Sequence, residues 1–208
     1  MRIAIVGVGR VGSALARATA AKGHTVVVTS REPGRAAEVA AQTGAQPAAS
    51  AVEAAREADI LVLAVPSASV AAVVDDLAAH LRGRDGGRLV VVDPTNPPEL
   101  DPAGSVAEGI ALLLPEAAVV KAFNTIFASR LTDPVVDGIP LDGFYAGNDE
   151  QAKAQVAELL ADLGFRPLDT GDLLTARTLE HLALLNITFN ARNGWPWQTG
   201  WKLLGATG

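Results

Sequence analysis

A glycine-rich segment near the N-terminus, residues 7–12 (GVGRVG), constrains the fold of this chain most. It follows a short apolar run, which predicts a strand, and leads into an alanine-rich stretch, which predicts a helix. In this context the glycines predict a dinucleotide-binding turn. Gly7 allows the tight turn, Gly9 lets the backbone approach a pyrophosphate, and Gly12 lets helix and strand pack closely. The helix N-terminus adds free N–H groups and a positive dipole. The alternative is a glycine-rich turn without a ligand.

The end of the second predicted strand favours NADP over NAD. Ser30 and Arg31 stand about 20 residues after Gly12, where NAD-binding chains carry an acidic residue for the ribose 2′-hydroxyl. A guanidinium at this place favours a 2′-phosphate, which it binds through two hydrogen bonds. Arg35 follows one helical turn later and Arg10 lies in the loop, so both are further candidates for this phosphate. The pattern predicts NADP(H) as cofactor, and ordinary surface charge is the alternative.

Composition narrows the classes of function. The chain has 208 residues, a net charge of −6 and no cysteine. Disulfides, thiolate metal sites and cysteine nucleophiles are therefore excluded, and the acidic balance argues against nucleic acid as a partner. His24, His80 and His181 show no metal-binding spacing, so we expect no metal site. We find no signal peptide and no apolar run of membrane length, and therefore expect no membrane partner and a cytoplasmic location.

Alternating strand and helix patterns predict an α/β fold, a doubly wound, mostly parallel Rossmann sheet with a small C-terminal helical extension. The predicted strands are residues 2–6, 25–28, 59–65, 88–93, 119–123, 143–147 and an edge strand at 165–168. After the first helix, the predicted helices are residues 33–42, 51–58, 68–81, 150–163 and 172–193, with a linker at 43–47 and a turn at 83–87. We expect an NADP-binding Rossmann domain over residues 1–170, and a helix with a Trp-rich tail over residues 171–208 that forms the dimer interface and a wall of the second-substrate site.

Residues with small or amide side chains follow three of the predicted strands. They lie in residues 64–67, 93–98 and 121–125. In an open parallel sheet, ligands bind outside the carboxyl ends of the strands. Asn96, Asn124 and Thr125 have the groups to hydrogen-bond a carboxamide, although such residues also cap helices and form turns. No nucleophile–base pair or carboxylate cluster stands out, which fits hydride transfer, because the cofactor then carries the chemistry.

The C-terminal segment concentrates the tryptophans of this chain. Trp195, Trp197 and Trp201 fall within a stretch too rich in Gly and Pro for a regular helix. One interpretation is a packing or dimer-interface anchor, since Trp is favoured in interface cores. The other is a wall that stacks on a flat second substrate. We favour the interface, and both interpretations hold together if the site lies near a dimer seam.

Several of these segments together resemble one family. They are residues 7–12, the TSR ending at 29–31, the strand end at 64–66 and the segment 120–125 (VKAFNT). They resemble the NADPH:coenzyme F420 oxidoreductases, the deazaflavin-dependent NADP reductases, and their relatives, which include the cytoplasmic domain of the STEAP metalloreductases. The resemblance covers nearly the whole chain. It departs from the archaeal enzymes at Ser67 and Ala68, where they carry an aromatic residue and a histidine, and at Phe123 and Asn124, where they carry a histidine-containing segment.

The resemblance also implies roles for residues. Ser30, Arg31 and Arg35 match the 2′-phosphate contacts, Val65 and Pro66 the nicotinamide side, and residues 122–125 the hydride-transfer cleft. Members are typically dimers that use the C-terminal helices in the interface, so we expect a homodimer. We expect the cofactor to be bound by Gly7, Val8, Gly9, Arg10, Val11, Gly12, Ser30, Arg31, Arg35, Ala64, Val65, Pro66, Asn96, Ala122 and Asn124. We expect the second substrate to be bound by Ser67, Pro97, Phe123, Thr125 and Trp195.

The expected function is hydride transfer between NADPH and a deazaflavin, coenzyme F420, as the small-molecule redox acceptor. A second hypothesis keeps NADPH but changes the acceptor to an ordinary flavin, an imine or carbonyl, or ferric iron through a flavin. A third is an NADP-sensing protein without turnover, which the lack of an evident acid or base permits. The catalytic residues are not identified by the sequence.

Overall fold

The computed structural model describes residues 1–81 and 88–205. Its strands are β1 (Arg2–Val6), β2 (Thr25–Thr29), β3 (Gln46–Pro47), β4 (Ile60–Leu63), β5 (Val90–Asp93), β6 (Ala118–Ala122), β7 (Val135–Val136), β8 (Ile139–Pro140), β9 (Asp142–Gly147) and β10 (Arg166–Asp169). Its helices are α1 (Arg10–Ala21), α2 (Pro33–Thr43), α3 (Ala51–Ala55), α4 (Ser67–Leu81), α5 (Val106–Leu113), α6 (Glu150–Asp162) and α7 (Ala176–Asn193). The turn predicted at 83–87 lies outside the described residues.

The main sheet confirms the predicted fold class. Within the described residues it has eight strands in the order β10-β9-β6-β5-β4-β1-β2-β3. The part β3-β2-β1-β4-β5-β6 is parallel and has the Rossmann strand order. β9 runs antiparallel to β6, and β10 runs parallel to β9 at the edge. The chain leaves β1 toward β2 on one side, whereas β4 lies on the other, so a crevice opens at the carboxyl end of β1.

Two apolar clusters cover the two faces of the sheet. In β1, Ile3 and Ile5 belong to one cluster, and Ala4 and Val6 belong to the other. Successive strand residues point to opposite faces, so a strand covered by helices on both sides must be apolar throughout. This explains the apolar runs of β4 and of β5 up to Val92; both strands are buried along their whole length.

The structure also contains elements that the sequence analysis does not predict. Helix α5 is one, and the β7–β8 hairpin is another. The predicted linker at 43–47 contains β3, a two-residue strand paired with β2. The last predicted helix begins as a 3-10 turn, Leu173–Thr175, and becomes α-helical at Ala176. In the described part of the chain, we find no helix with the length and apolarity needed to cross a membrane.

Candidate functional site

A groove of about 440 Å³ lies over the carboxyl ends of β1, β2 and β4. Its lining includes the predicted cofactor residues Gly7, Val8, Gly9, Ser30, Arg31, Arg35, Ala64, Val65 and Pro66. The loop after β1 is held against β2, because the Gly7 N–H donates to the Thr29 carbonyl over 2.8 Å. The structure thus brings the predicted pyrophosphate, ribose and nicotinamide-side positions into one continuous cavity.

The three glycines of the loop meet different surroundings. Gly7 has a φ of +98°, and a Cβ there would lie 2.3 Å from the Ala64 carbonyl oxygen. A Cβ on Gly12 would lie 1.8 Å from the Gly7 carbonyl oxygen. At Gly9, in contrast, a Cβ would meet no described atom within 4 Å. Gly7 and Gly12 therefore serve the close packing of loop, helix and strand, whereas Gly9 leaves open space at the N-terminus of α1.

This open space suits a phosphate group. Gly9 is the N-cap residue of α1, and no side chain among the described residues accepts a hydrogen bond at this cap. The first N–H groups of a helix have no partner inside the helix, and they attract anions together with the helix dipole. The residues present therefore fit the pyrophosphate of a dinucleotide. Arg10 is exposed at the start of this helix and does not line the groove as described.

The ribose end of the groove is built by the turn between β2 and α2. The Ser30 hydroxyl donates to the Glu32 carbonyl over 2.6 Å and accepts from the Glu32 N–H over 3.1 Å, which fixes the turn. Arg31 is exposed, and the Arg35 Nε donates to the Val8 carbonyl over 3.5 Å. Arg35 thereby connects the ribose end with the phosphate loop. Glu32 also lines the groove and is the acidic neighbour of this arginine pair.

A second cleft of about 120 Å³ lies beyond the carboxyl ends of β5 and β6. It contains the predicted residues Val11, Asn96, Phe123, Asn124 and Thr125, together with Ala183, Asn186 and Ile187 from α7. The expected C-terminal unit, residues 171–208, included a wall of the second-substrate site, but no residue of α7 is among the predicted site residues. The helical spacing of Ala183, Asn186 and Ile187 is the only sequence signal for their contribution, and polar residues inside a helix are usually exposed.

The strand ends in the second cleft are held by a pair of asparagines. The Asn124 amide donates to Asn96 Oδ1 over 3.0 Å, and the Asn96 amide donates to the Asn124 carbonyl over 2.8 Å. Phe123 has a φ of +65°, in the left-handed region that residues with a side chain seldom adopt. This conformation turns the chain sharply after β6, and the surrounding hydrogen bonds hold it there.

Six predicted site residues line neither cavity in the described part of the chain. They are Arg10, Gly12, Ser67, Pro97, Ala122 and Trp195. Ala122 is fully buried at the end of β6, and Trp195 is exposed in the C-terminal segment. Trp197 comes closer to the second cleft: its ring meets Phe127, which lines the cleft, edge to face with centroids 5.5 Å apart. The binding roles of these six residues stay predictions.

A buried ion cluster next to the second cleft was missed by the sequence analysis. Lys121 Nζ donates to Asp93 Oδ2 over 2.8 Å, to the Thr95 carbonyl over 2.7 Å and to Glu180 Oε1 over 2.7 Å. Lys121 and Asp93 are completely buried, and Glu180 is nearly so. A buried ion pair is tolerated only where further hydrogen bonds satisfy its charges. Asp93 and Lys121 face each other on paired strands, and Glu180 comes from α7.

This ion cluster connects the walls of the second cleft. Asp93 and Thr95 precede Asn96, Lys121 precedes Phe123, and Glu180 lies one helical turn before Ala183. Glu180 also accepts the Val106 N–H over 3.1 Å, at the start of α5. The geometry therefore fixes the ends of β5 and β6 relative to α7.

Comparisons with known proteins find relatives that cover most of the chain. Residues 2–97 match the family model described as "NADP oxidoreductase coenzyme F420-dependent". The chain is 31% identical over 210 residues to the F420-dependent NADP reductase of Methanocaldococcus jannaschii, covering 92% of this chain and 93% of that protein. A crystal structure of a putative F420-dependent NADP reductase from Arthrobacter sp. FB24 superposes with a TM-score of 0.85 at 32% identity, covering 98% of this chain and 100% of that one.

A metalloreductase is similar as well. The chain is 34% identical over 190 residues to metalloreductase STEAP3 of Rattus norvegicus, which covers 88% of this chain. It spans only 36% of that protein's length. With the reductases, in contrast, the match covers more than nine tenths of both chains. The chain therefore belongs to the family of coenzyme F420-dependent NADP oxidoreductases.

Proposed function

We propose that this protein transfers a hydride between NADP(H) and the deazaflavin coenzyme F420. The observation that carries the proposal is the form of the groove, with open space at Gly9 and two arginines at the ribose end. β2 ends at Thr29 and is followed by Ser30 and Arg31, so a hydroxyl and a guanidinium stand at the place where NAD-binding chains carry a carboxylate for the ribose 2′-hydroxyl. Relatives named F420-dependent NADP reductases support the choice of acceptor.

The residues of the chain would bind and orient the two substrates. The N–H groups at the start of α1 bind the pyrophosphate, and Arg31 and Arg35 bind the 2′-phosphate. One wall of the groove is formed by Ala64, Val65 and Pro66. The nicotinamide half of the cofactor would lie along this wall, with its ring directed toward the second cleft. When bound, the nicotinamide supplies or accepts the hydride, and the protein contributes position and a dry environment. The hydride acceptor then lies beside the ends of β5 and β6.

The test mixes the protein with NADPH and oxidised F420 and follows the visible absorbance of the deazaflavin. We expect catalytic loss of this absorbance. In the Arg31→Ala variant the KM for NADPH should rise about tenfold or more, because a charge-assisted contact to the 2′-phosphate is lost, while the KM for NADH changes little. A wild-type protein that leaves F420 oxidised would contradict the acceptor. Equal losses for NADPH and NADH in the variant would contradict the phosphate site.

A second candidate keeps the cofactor and replaces the acceptor by an ordinary flavin. It is favoured by the similarity to metalloreductase STEAP3, whose 34% identity is as high as that to the reductases. Ser67 and Ala68, where the sequence departs from the archaeal pattern, permit it. The same assay with FMN or FAD in place of F420, followed by addition of ferric iron, distinguishes the two. Reduction of the flavin without reduction of F420 would select this candidate.

We also propose that the protein works as a homodimer. Leu185 and Phe189 on α7 are exposed, as are Trp195 and Trp197 in the tail. Large exposed apolar side chains that lie together mark interaction surfaces. Leu182, Leu185 and Phe189 form the apolar face of the predicted helix, and on this face Leu185 and Phe189 are exposed while Leu182 is half-buried. The proposed partner is a second copy of the chain.

A further inference from the structure

Three buried polar atoms, which belong to residues that line the second cleft, have no hydrogen-bond partner among the described residues. They are Asn124 Oδ1, Thr125 Oγ1 and Asn186 Nδ2. Their residues are only 5%, 4% and 5% exposed, respectively. Native proteins pair nearly all such atoms, and each one left unpaired is costly. Several of them along one cavity therefore indicate that the cavity holds a polar partner.

The orientation of the Asn124 amide is fixed by its neighbours. Its Nδ2 donates to the Leu179 carbonyl over 2.9 Å and to Asn96 Oδ1 over 3.0 Å. A backbone carbonyl accepts hydrogen bonds and cannot donate one, so the nitrogen must face Leu179. Both amide protons are used in this way. The side-chain atom of Asn124 that remains without a partner is its Oδ1, a hydrogen-bond acceptor.

Asn186 presents the opposite group. Its Oδ1 accepts from the Thr199 hydroxyl over 2.6 Å and from the Asn190 amide over 3.1 Å. The Thr199 hydroxyl in turn accepts from the Asn190 amide over 2.7 Å, so its single proton is directed to Asn186. The oxygen of Asn186 is therefore occupied. Its Nδ2, a donor, remains without a partner among the described residues.

The remaining surface of the cleft is apolar and uncharged. Val11, Ile126, Phe127 and Ile187 contribute side chains, and no Lys, Arg, Asp or Glu is among the described lining residues. A charged phosphate or carboxylate would lack a counter-ion here. A flat, neutral ring fits, provided that its edge carries an acceptor and a donor of its own.

We propose that Asn124 and Asn186 bind the amide edge of a flat heterocycle, with Asn186 Nδ2 donating to its carbonyl and Asn124 Oδ1 accepting from its N–H. Asn186 is thereby assigned as a specificity-determining residue on α7. This inference rests on the proposed function and deepens it. Two partners of that function carry this chemistry: the carboxamide of the nicotinamide, and the pyrimidine edge of a deazaflavin.

The test uses the full-length variants Asn186→Asp and Asn186→Leu. Asn186→Asp keeps an oxygen for Thr199 but replaces the donor by an acceptor, and Asn186→Leu removes the donor without adding charge. Asn193→Asp is the matched control, because Asn193 lies on the same helix, is exposed and does not line the cleft. Thermal melting identifies variants that fold. The measured quantities are the Kd of NADPH without acceptor, the Kd of adenosine 2′,5′-bisphosphate, and the KM of F420 at saturating NADPH.

Each outcome decides the inference. If the ring is the nicotinamide, both Asn186 variants raise the Kd of NADPH about tenfold and leave adenosine 2′,5′-bisphosphate unaffected, since it lacks the nicotinamide. If the ring is the deazaflavin, the Kd of NADPH stays constant and the KM of F420 rises. Unchanged values in both measurements, or equal losses for NADPH and the bisphosphate, overturn the inference. Failure of wild-type protein to reduce F420 contradicts only the proposed acceptor, because the NADPH measurement still tests the cleft.

Discussion

Lys121 illustrates how one residue organises a site without lining it. Its ammonium group is fully buried and has three acceptors, two of which are carboxylates. Removing the partner of a buried charge costs much more than removing a whole ion cluster, because the remaining charges stay desolvated. The arrangement is therefore stable only when complete. This all-or-none property holds the ends of β5 and β6 and helix α7 in one relative position.

Substituting Lys121 tests this dependence. We expect Lys121→Met to lower the free energy of unfolding by about 3–5 kcal/mol, because Asp93 and Glu180 are left buried and uncompensated. The triple variant Asp93→Asn, Lys121→Met, Glu180→Gln should recover most of this loss, since no buried charge remains. Denaturant unfolding at neutral pH measures both. A triple variant as unstable as the single one would show that volume and packing, rather than charge, explain the loss.

Single residues also show where sequence reasoning reaches its limit. Gly7, Gly9 and Gly12 were predictable, because their roles depend on neighbours within a few positions of the chain. The Lys121 cluster was not, since Glu180 lies 59 residues from Lys121 and reaches it only through the packing of α7. A charged residue at the end of an apolar strand, as at Asp93 and Lys121, is the signal that such a cluster leaves in a sequence.

At the scale of elements, helix α5 depends on its N-terminal cap. The Ser105 hydroxyl accepts from the Glu108 N–H, and the Glu108 carboxylate accepts from the Ser105 N–H over 2.8 Å, which forms a capping box. Arg177 from the start of α7 donates to both carboxylate oxygens of Glu108, over 2.8 and 2.7 Å. The hydrogen bonds from Arg177 are the main cause that lowers the pKa of Glu108 from 4.5 to about 2.

This pKa predicts a pH-dependent contribution to stability. A carboxyl group whose pKa is lower in the folded state stabilises the fold above its unfolded pKa, and this stabilisation is lost as the pH falls through the folded value. We expect Glu108→Gln to lower the free energy of unfolding by about 1 kcal/mol near neutral pH, a modest value because Arg177 is partly solvated. The difference should shrink between pH 4.5 and about pH 2.

Thermal melting across this pH range measures the difference for Glu108→Gln. Glu99→Gln is a suitable control, since Glu99 is an exposed carboxylate outside the helices. Its melting curve should follow the wild type at every pH. A Glu108→Gln variant that keeps a constant difference down to the lowest pH would contradict the assigned role of the Glu108 charge.

Some helices and strands could be predicted from the sequence, and others could not. The strands of the Rossmann core were predictable, because burial on both faces requires continuous apolar runs. Helix α5 has eight residues and contains Gly109, which weakens the helical pattern. The spacing of Ser105 and Glu108 is a capping-box signal that was present in the sequence. The β7–β8 hairpin is two residues long on each side and leaves no periodic pattern.

For the whole molecule, two cavities lie along the edge of the sheet where the parallel strands end. The groove at β1 and β2 contains the glycine loop and the arginines, and the cleft at β5 and β6 contains the asparagines and α7. The first site is built from residues 6–76, which are close in sequence, and it could be predicted. The second also needs residues 183–187, and the C-terminal tail reaches its wall through Trp197 and Phe127. Its construction depends on tertiary packing, which a local sequence pattern does not specify.

The exposed face of α7 predicts the oligomeric state of the protein. Leu185 and Phe189 are 44% and 43% exposed, although they are large and apolar. The buried face of the same helix is formed mainly by smaller and amide side chains, including Ala183, Asn186 and Asn190. A specific interface buries about 800 Å² on each partner and has apolar residues at its centre. We therefore expect wild-type protein to be a dimer, and the double variant Leu185→Lys, Phe189→Lys to be a monomer.

Light scattering after size exclusion measures the mass of both proteins. Leu112→Lys is the matched control, because Leu112 on α5 is a leucine with 83% exposure that lies outside the face of α7. It should leave the dimer intact. In the monomeric variant the Kd of adenosine 2′,5′-bisphosphate should stay unchanged, since the described lining of the groove at β1 and β2 includes no residue of α7. Reduction of the acceptor should fall, because Asn186 and Ile187 belong to the same helix as the interface and also line the second cleft. A wild-type protein that is monomeric at all accessible concentrations would contradict the dimer, and a monomeric variant with full activity would show that the interface does not support the cleft.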